Sequence, residues 1–277
     1  MILVTGATGF VGTQVVRELI NRSLDCKIIC SNEERIDPLI KNKIQKIHIT
    51  KDLFKEDNVW LSKVLNDVDT VIHLAWFVKP GEYLNSEKNI DCFNGSINFA
   101  KNCITNNINK FIGIGTCFEY EPDNIQLDIN AKLAPENLYS ASKAALYFFL
   151  KNIFQLSKVD FLWCRLFYLY GEGEDVNRFY PYIKNKMVKK EIADLSDGSQ
   201  VRDFIDVKDA AKIIVDASIS ENKGPFNVCS GNGITIKEFA NQIADEFGNR
   251  ELLNFGARPN NVYDPPYIVG KPTRIKK

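Results

Sequence analysis

The chain has 277 residues, enough for one large α/β domain or for a domain with a smaller lobe. Its 35 Lys and Arg balance 35 Asp and Glu, so no global basic field draws a nucleic acid or an anionic membrane surface. Apolar residues make up 45%, which excludes a disordered chain, and the longest uninterrupted apolar run, 144–150, is too short to span a bilayer. The first residues lack the basic stretch and cleavage site of a signal peptide. Seven cysteines without any Cys-x-x-Cys pair disfavour a disulfide framework or a zinc site and point to a reducing cytoplasm. With only His48 and His73, mechanisms that need several imidazoles are disfavoured.

Short β-rich runs alternate with longer helical stretches. The pattern predicts a strand at 2–4, a helix at 11–21, strands at 27–30, 44–49 and 70–74, and a helix at 86–106. A strand at 110–115, a long helix at 138–156 and a strand at 161–167 follow. This repetition implies right-handed crossovers and a doubly wound α/β parallel sheet. The last third reads differently: a loop at 171–175, a helix at 179–190, a turn at 197–199, and helices at 207–218 and 235–247. Pro259, Pro265, Pro266 and Pro272 then break the chain into extended loop. The expected plan is a nucleotide-binding domain over 1–168, to which 203–229 returns, and a smaller C-terminal substrate-binding lobe over 169–277.

Thr5-Gly6-Ala7-Thr8-Gly9-Phe10-Val11-Gly12 follows the first strand and opens the first helix. Its glycines allow a tight turn, close approach of backbone to a pyrophosphate, and close packing of helix on sheet. The helix N-terminus offers free N–H groups to phosphates. In this context the motif indicates a bound dinucleotide. The second strand ends in Cys30-Ser31-Asn32 with Arg35 behind it, and Glu33 and Glu34 lie past the position where an acidic residue would hold the adenosine ribose. NADP(H) is therefore favoured over NAD(H).

Tyr139-Ser140-Ala141-Ser142-Lys143 opens the long helix, which puts Tyr139 and Lys143 on one face. An ordinary tyrosine, with a pKa of about 10, is a poor acid–base group at neutral pH, and a nearby ammonium can bring it into range. Lys143 can also hold a ribose hydroxyl. Thr116 stands at the carboxyl end of the 110–115 strand, where ligands of open α/β sheets bind.

Together the glycine motif, His73-Leu74-Ala75, Thr116, Tyr139-x-x-x-Lys143 and Arg202-Asp203-Phe204-Ile205-Asp206-Val207-x-Asp209-Ala210 resemble the extended short-chain dehydrogenase/reductases that act on nucleotide-linked sugars. The resemblance runs over nearly the whole chain. It implies a Rossmann core, a bound nicotinamide cofactor and a nucleotide-diphosphate sugar as partner. By the resemblance Gly6, Thr8, Gly9, Phe10, Val11, Gly12, Leu74 and Lys143 hold the cofactor, Ala75 lines its nicotinamide ribose, and Asp52 and Leu53 flank adenine. Arg202 matches the arginine that grips the substrate diphosphate, and Arg258 matches a second nucleotide contact. Plainer roles stand beside these: a cap for Asp52, a surface ion pair for Arg202, and strand packing for His73.

Departures from the family narrow the chemistry. Sugar 4,6-dehydratases follow their threonine with Asp-Glu, where this chain has Cys117-Phe118. GDP-fucose synthases carry a cysteine two residues past the catalytic hydroxyl and a later histidine; here the first is Phe118 and no histidine follows His73. A reductase of a nucleotide-linked 4-keto-6-deoxyhexose, in deoxysugar and surface polysaccharide biosynthesis, and a 4-epimerase with retained NAD both remain. Trp76-Phe77-Val78-Lys79-Pro80-Gly81 and Gly115-Thr116-Cys117-Phe118-Glu119-Tyr120 resemble a deoxysugar-reductase branch, in which Trp76 and Phe77 pack a 6-methyl group or the core. Tyr168 stands where many relatives have Asn, with Asn177 and Arg178 as nearby diphosphate candidates. A non-catalytic NADP sensor is the reading from another class. Relatives often dimerise through the helices at 86–106 and 138–156, so a homodimer is expected, with neither a nucleic acid nor a membrane as partner. Relatives usually continue past the segment ending in Lys277, so the chain is expected to look short against the family.

Overall fold

The structure, a computed structural model, describes residues 1–123, 125–261 and 264–276. Each central strand sends alternate side chains to opposite faces, and each face has its own helices. In chain order the first half comprises β1 (Ile2–Thr5), α1 (Phe10–Asn21), β2 (Cys26–Cys30), α2 (Pro38–Lys41), β3 (Lys46–Ile49), α3 (Asn58–Leu65), β4 (Thr70–His73), α4 (Lys88–Thr105), β5 (Lys110–Thr116), α5 (Leu138–Gln155) and β6 (Asp160–Leu166). There follow β7 (Tyr168–Tyr170), α6 (Phe179–Lys189), β8 (Ala193–Leu195), β9 (Val201–Asp206), α7 (Val207–Ile219), β10 (Gly224–Val228), β11 (Gly233–Thr235), α8 (Ile236–Asp245), β12 (Leu253–Phe255) and β13 (Tyr267–Ile268).

The main sheet has the order β10-β6-β5-β4-β1-β2-β3, with every neighbouring pair parallel. This is an α/β doubly wound, Rossmann-type sheet with a smaller lobe beside it. Val4, Ile28, Ile112 and Leu162 pack with Val15 and Leu19 of α1 and Ile214 of α7. Their neighbours Leu3, Ile29, Phe111 and Phe161 pack on the other face with Leu61, Phe99, Leu146 and Leu150. The strand order reverses between β1 and β4, which opens a crevice at the carboxyl ends of the strands. The lobe gathers β7, β9, β11 and β13 in one small sheet and β8 with β12 in another. Its core joins Ile183 and Met187 of α6 to Phe239, Ala240 and Ile243 of α8.

The predicted elements stand, with shifts of a residue or two at their ends. The strand expected at 44–49 starts at Lys46, because Ile44 closes the preceding turn with its N–H on the Lys41 carbonyl. The helix expected at 235–247 starts at Ile236, because the Thr235 hydroxyl caps it by accepting from the Glu238 N–H.

One packing detail fixes the centre of the sheet. Gly113 lies opposite Trp163, and Gly115 opposite Arg165. The Trp163 indole covers both glycines: a Cβ on Gly113 would meet the ring at 2.5 Å, and one on Gly115 would run into the indole nitrogen and the Glu119 carboxylate. Gly115→Ala is therefore expected to overpack this layer and destabilise the fold by about 1–3 kcal/mol. Urea unfolding of the two proteins would show it, and an unchanged midpoint would refute it.

Candidate active site

The crevice is a cleft of about 1310 Å³ that runs from the end of β2 across β1, β4, β5 and β6 into the lobe. At its centre β1 and β4 meet closely. The Leu74 N–H donates to the Thr5 carbonyl, and the Ala75 N–H donates to the Thr5 hydroxyl at 3.2 Å. His73 braces the same joint between the Thr5 and Ser96 hydroxyls, at 2.8 and 2.9 Å. It is buried, and burial pushes its pKa down to about 3, so it is a neutral strut.

The glycine loop fits a pyrophosphate. Gly6 has φ +66°, and a Cβ there would meet the Ala75 nitrogen at 2.7 Å. A Cβ on Gly12 would collide with the Gly6 carbonyl. The loop thus brings bare backbone to the cleft floor. Gly9 caps α1 with no side-chain hydrogen bond, and no acidic residue occupies the first turn, so the positive helix end stays open to an anion. Thr8, Phe10, Val11, Leu74 and Ala75 line the same stretch.

At the adenosine end Ser31, Arg35, Asp52 and Leu53 line the cleft. Asp52 also caps the short turn Leu53–Lys55 by accepting from the Phe54 N–H at 3.1 Å. Asn32 does not reach the cleft: its side chain accepts from the Glu34 N–H at 2.8 Å. Glu33 is turned to Lys41 at 3.0 Å. Arg35 is exposed and makes no ion pair among the described residues.

Thr116, Tyr139 and Lys143 converge as the sequence implies. Thr116 lies close enough to the Tyr139 phenol to draw its pKa down somewhat. Tyr83 meets Tyr139 edge-on, with ring centroids 4.9 Å apart. Burial is the main influence on the phenol and holds its pKa well above the usual value, with further upward pushes from Tyr83, Glu119 and Cys117. Lys143 is not among the groups that act most strongly on it. The ammonium instead donates to the Ile114 carbonyl at 2.7 Å and lies over the Trp76 ring at 3.7 Å. Burial among aromatic rings favours the protonated phenol.

On the lobe side Arg202 and Arg178 reach the cleft, and Arg258 and Asn177 do not. Arg202 is buried, rests on the Tyr168 ring at 5.3 Å and makes no ion pair among the described residues. Its strand neighbour Asp203 points the opposite way and accepts from the N–H groups of Ser230, Gly231 and Gly270 at 2.8, 2.9 and 3.1 Å. That anchor ties the lobe segments together and fixes the direction of Arg202. Arg178 lies over the Tyr83 ring at 5.3 Å. Arg258 is exposed and sits on Tyr182, donating to its hydroxyl at 3.1 Å. Asn177 is turned back to Asp175. Tyr168 fills the space between Phe118 and Phe204.

Several site residues escaped the sequence reading. Glu119 is fully buried behind Thr116, where it accepts from the Thr116 N–H at 2.9 Å, from the Trp163 indole, and from the Arg165 guanidinium at 2.7 Å. The Thr-x-x-Glu spacing of a capping box was its visible signal. Glu174 also lines the cleft, with its pKa pushed up to about 7 by burial. Nothing in its loop sequence marked it, since the burial comes from distant segments.

The NAD dependent epimerase/dehydratase family matches residues 2–229, and the chain belongs to that family. It is 24% identical to a dTDP-6-deoxy-L-talose 4-dehydrogenase (NAD(+)) of Aggregatibacter actinomycetemcomitans, over 97% of this chain and 98% of that relative. It is 28% identical to a putative UDP-glucose 4-epimerase of Methanocaldococcus jannaschii, over 95% of this chain and 88% of that relative. Among solved structures, the UDP-N-acetylglucosamine 4-epimerase from Methanobrevibacter ruminantium M1 superposes with a TM-score of 0.87 at 26% identity, covering 98% of this chain and 89% of that one.

Burial also pushes the Lys143 pKa down to about 7. The unfolded chain keeps an ordinary lysine pKa of about 10.4, so between these values it binds more protons and folding stability rises with pH. The buried charge therefore penalises the fold fully below pH 7, and the penalty fades as pH rises towards 10. Lys143→Met is expected to stabilise the ligand-free protein by about 2–4 kcal/mol at pH 6 and by little at pH 10. Chemical denaturation at both pH values checks this; a loss of stability at pH 6 would contradict it.

Proposed function

We propose that the protein reduces the C4 keto group of a nucleotide-linked 4-keto-6-deoxy sugar, with NADP(H) favoured over NAD(H), in deoxysugar and surface polysaccharide biosynthesis. The observation that carries this reading is the surrounding of the Tyr139 phenol. Its neighbours are hydroxyls and aromatic rings, those of Thr116, Tyr83 and Trp76. The carboxylate that follows Thr116, Glu119, is turned into the core onto Arg165. Dehydration needs an acid and a base beside the sugar, and that pair is missing from this turn.

Gly6, Gly9 and Gly12 would hold a dinucleotide along the loop, and its reduced nicotinamide would supply the hydride. Tyr139, kept protonated by burial, hands its proton to the oxygen developing at C4. Thr116 donates a hydrogen bond to the same oxygen, and Lys143 holds the nicotinamide ribose. Arg202 and Arg178 offer cations to the diphosphate. Residues 1–168, with 203–229, form the dinucleotide-binding part, and 169–277 otherwise form the sugar-binding lobe. Arg35, free of ion pairs among the described residues at the mouth of the adenosine end, supports the choice of NADP(H).

A 4-epimerase is the second reading, favoured by the names of the two 4-epimerase relatives. Tyr83, Phe118 and Tyr168 crowd the sugar end of the cleft, which opposes the rotation that an epimerase requires. The cleft also holds Thr116, Tyr139 and Lys143 together, which supports an enzyme over a sensor. A cytoplasmic setting is supported by the seven cysteines, all buried and unbridged. Among the described residues no helix is long and apolar enough to cross a membrane. We also propose a homodimer through α4 and α5. The helix α5 leaves Phe148 and Phe149 about half exposed, and with Phe93, Ile153 and Leu156 they form an apolar groove.

Incubation with NADPH and a panel of nucleotide-linked 4-keto-6-deoxyhexoses, with product NMR, tests the reaction. NADPH consumption and a C4 alcohol are expected. Interconversion of NDP-glucose and NDP-galactose without NADPH consumption would establish the epimerase instead. Tyr139→Phe should lower turnover by about 10²–10⁴-fold with cofactor binding intact. Arg35→Ala should weaken NADPH binding about tenfold and leave NADH binding unchanged; equal effects on both would remove the argument for NADP(H). Light scattering should give a dimer mass, and Phe148→Glu a monomer.

A further inference from the structure

The Lys143 ammonium has lost its water. Lys143 is buried, and the hydrogen bond to the Ile114 carbonyl uses one of its three donors. The second neighbour is the face of Trp76, 3.7 Å away, and the Trp163 ring lies farther off at 6.0 Å. The titratable groups that act on the ammonium are Glu119 from the turn after β5 and Cys92 from α4; it acts in turn on His73 of β4, and Tyr139 precedes it by one helical turn on α5. Glu119 is already committed to Arg165, Trp163 and the Thr116 N–H.

Trp76 does not reach this place by itself. Its indole N–H donates to the Asn89 side-chain oxygen at 2.8 Å. Asn89 is fully buried at the start of α4, and its amide donates to the carbonyls of Tyr83 and Ser86 at 2.7 and 2.8 Å. One asparagine thus fixes the indole and the loop that carries Tyr83 against Tyr139. Of the two roles open to Trp76, packing a 6-methyl group or the core, this arrangement fits the second.

We infer that Trp76, locked by Asn89, is a positioning residue for Lys143: its ring face replaces part of the lost hydration, holds the ammonium protonated and keeps it aimed along the cleft. The inference rests on the reading that Lys143 serves the cofactor and the proton donor. The physical basis is the attraction between a desolvated cation and the indole quadrupole, which is strongest for tryptophan. An aliphatic side chain of similar bulk fills the space without that attraction. The ammonium would then shed its proton at lower pH, because burial without compensation disfavours the charged form.

The test follows Lys143 directly. In ligand-free enzyme labelled with 13C-lysine, with the Lys143 signal assigned by its loss in Lys143→Met, the titration midpoint is compared in wild type, Trp76→Phe, Trp76→Leu and Asn89→Ala. The midpoint is expected to fall by about one pH unit in Trp76→Leu, and by less in Asn89→Ala and in Trp76→Phe, which keeps a weaker ring face without the bond to Asn89. The alkaline limb of the pH profile of kcat should move down with it, while KM for the sugar nucleotide changes little. An unmoved midpoint in Trp76→Leu, or a rise in KM alone, would overturn the inference and return Trp76 to a sugar-packing role. The NMR readout needs no substrate, so it decides the role of Trp76 even if the substrate panel shows no turnover.

Discussion

A buried ion pair, Glu119 with Arg165, holds the centre of this protein together. Two charges removed from water are expensive, and they persist only where every donor and acceptor finds a partner. Here they do. The carboxylate accepts from the Thr116 N–H, the Trp163 indole and the Arg165 Nε. The guanidinium donates to the Tyr120 hydroxyl at 3.1 Å and lies between the Tyr120 and Tyr147 rings. Tyr120 passes the network on to Asn227 of β10, and Asn227 holds the carbonyls of Leu127 and Lys271. One connected set of bonds thus joins the end of β5, the sheet edge and the loops below the lobe. Gly113 and Gly115 exist in this context because the indole needs the space where their side chains would be.

The same constraint shapes the chemistry. By turning Glu119 inward, the network takes the nearest carboxylate away from the cleft and leaves hydroxyls and rings around Tyr139. Burial then does opposite things to the two titrating partners: it keeps the phenol protonated and loosens the proton on Lys143. A protonated phenol suits an acid that delivers a proton to a developing alkoxide. Arg202 is left as a buried cation facing the lobe side of the cleft, with Asp203 spent on the turn at Ser230 and Gly231.

Much of the site was legible where a motif carries a local mechanism. The glycines at 6 and 12 are readable because the loop needs bare backbone wherever this turn occurs. Tyr139 and Lys143 are readable because a helix fixes their relative position. The misses have a common cause. Asn32, Asn177 and Arg258 lie outside the cleft, each taken up by a partner close in chain or lobe: the Glu34 N–H, Asp175 and Tyr182. Packing between β4, α4 and α5 sets the Lys143 ammonium on the Trp76 indole, a contact that spacing along the chain does not reveal.

The sequence by itself determined the strand–helix alternation, the glycine turn that opens α1 and the grouping of Thr116, Tyr139 and Lys143, because these depend on contacts within one or two elements. Only the tertiary structure decided which charges face the cleft and which face the core. Glu119 and Arg165 lie 46 residues apart, and Asn89 and Trp76 lie 13 apart on different segments. Whether such a group is a reagent or a strut depends on which partners reach it first once water has been excluded, and that is settled by packing across the sheet rather than by spacing along the chain.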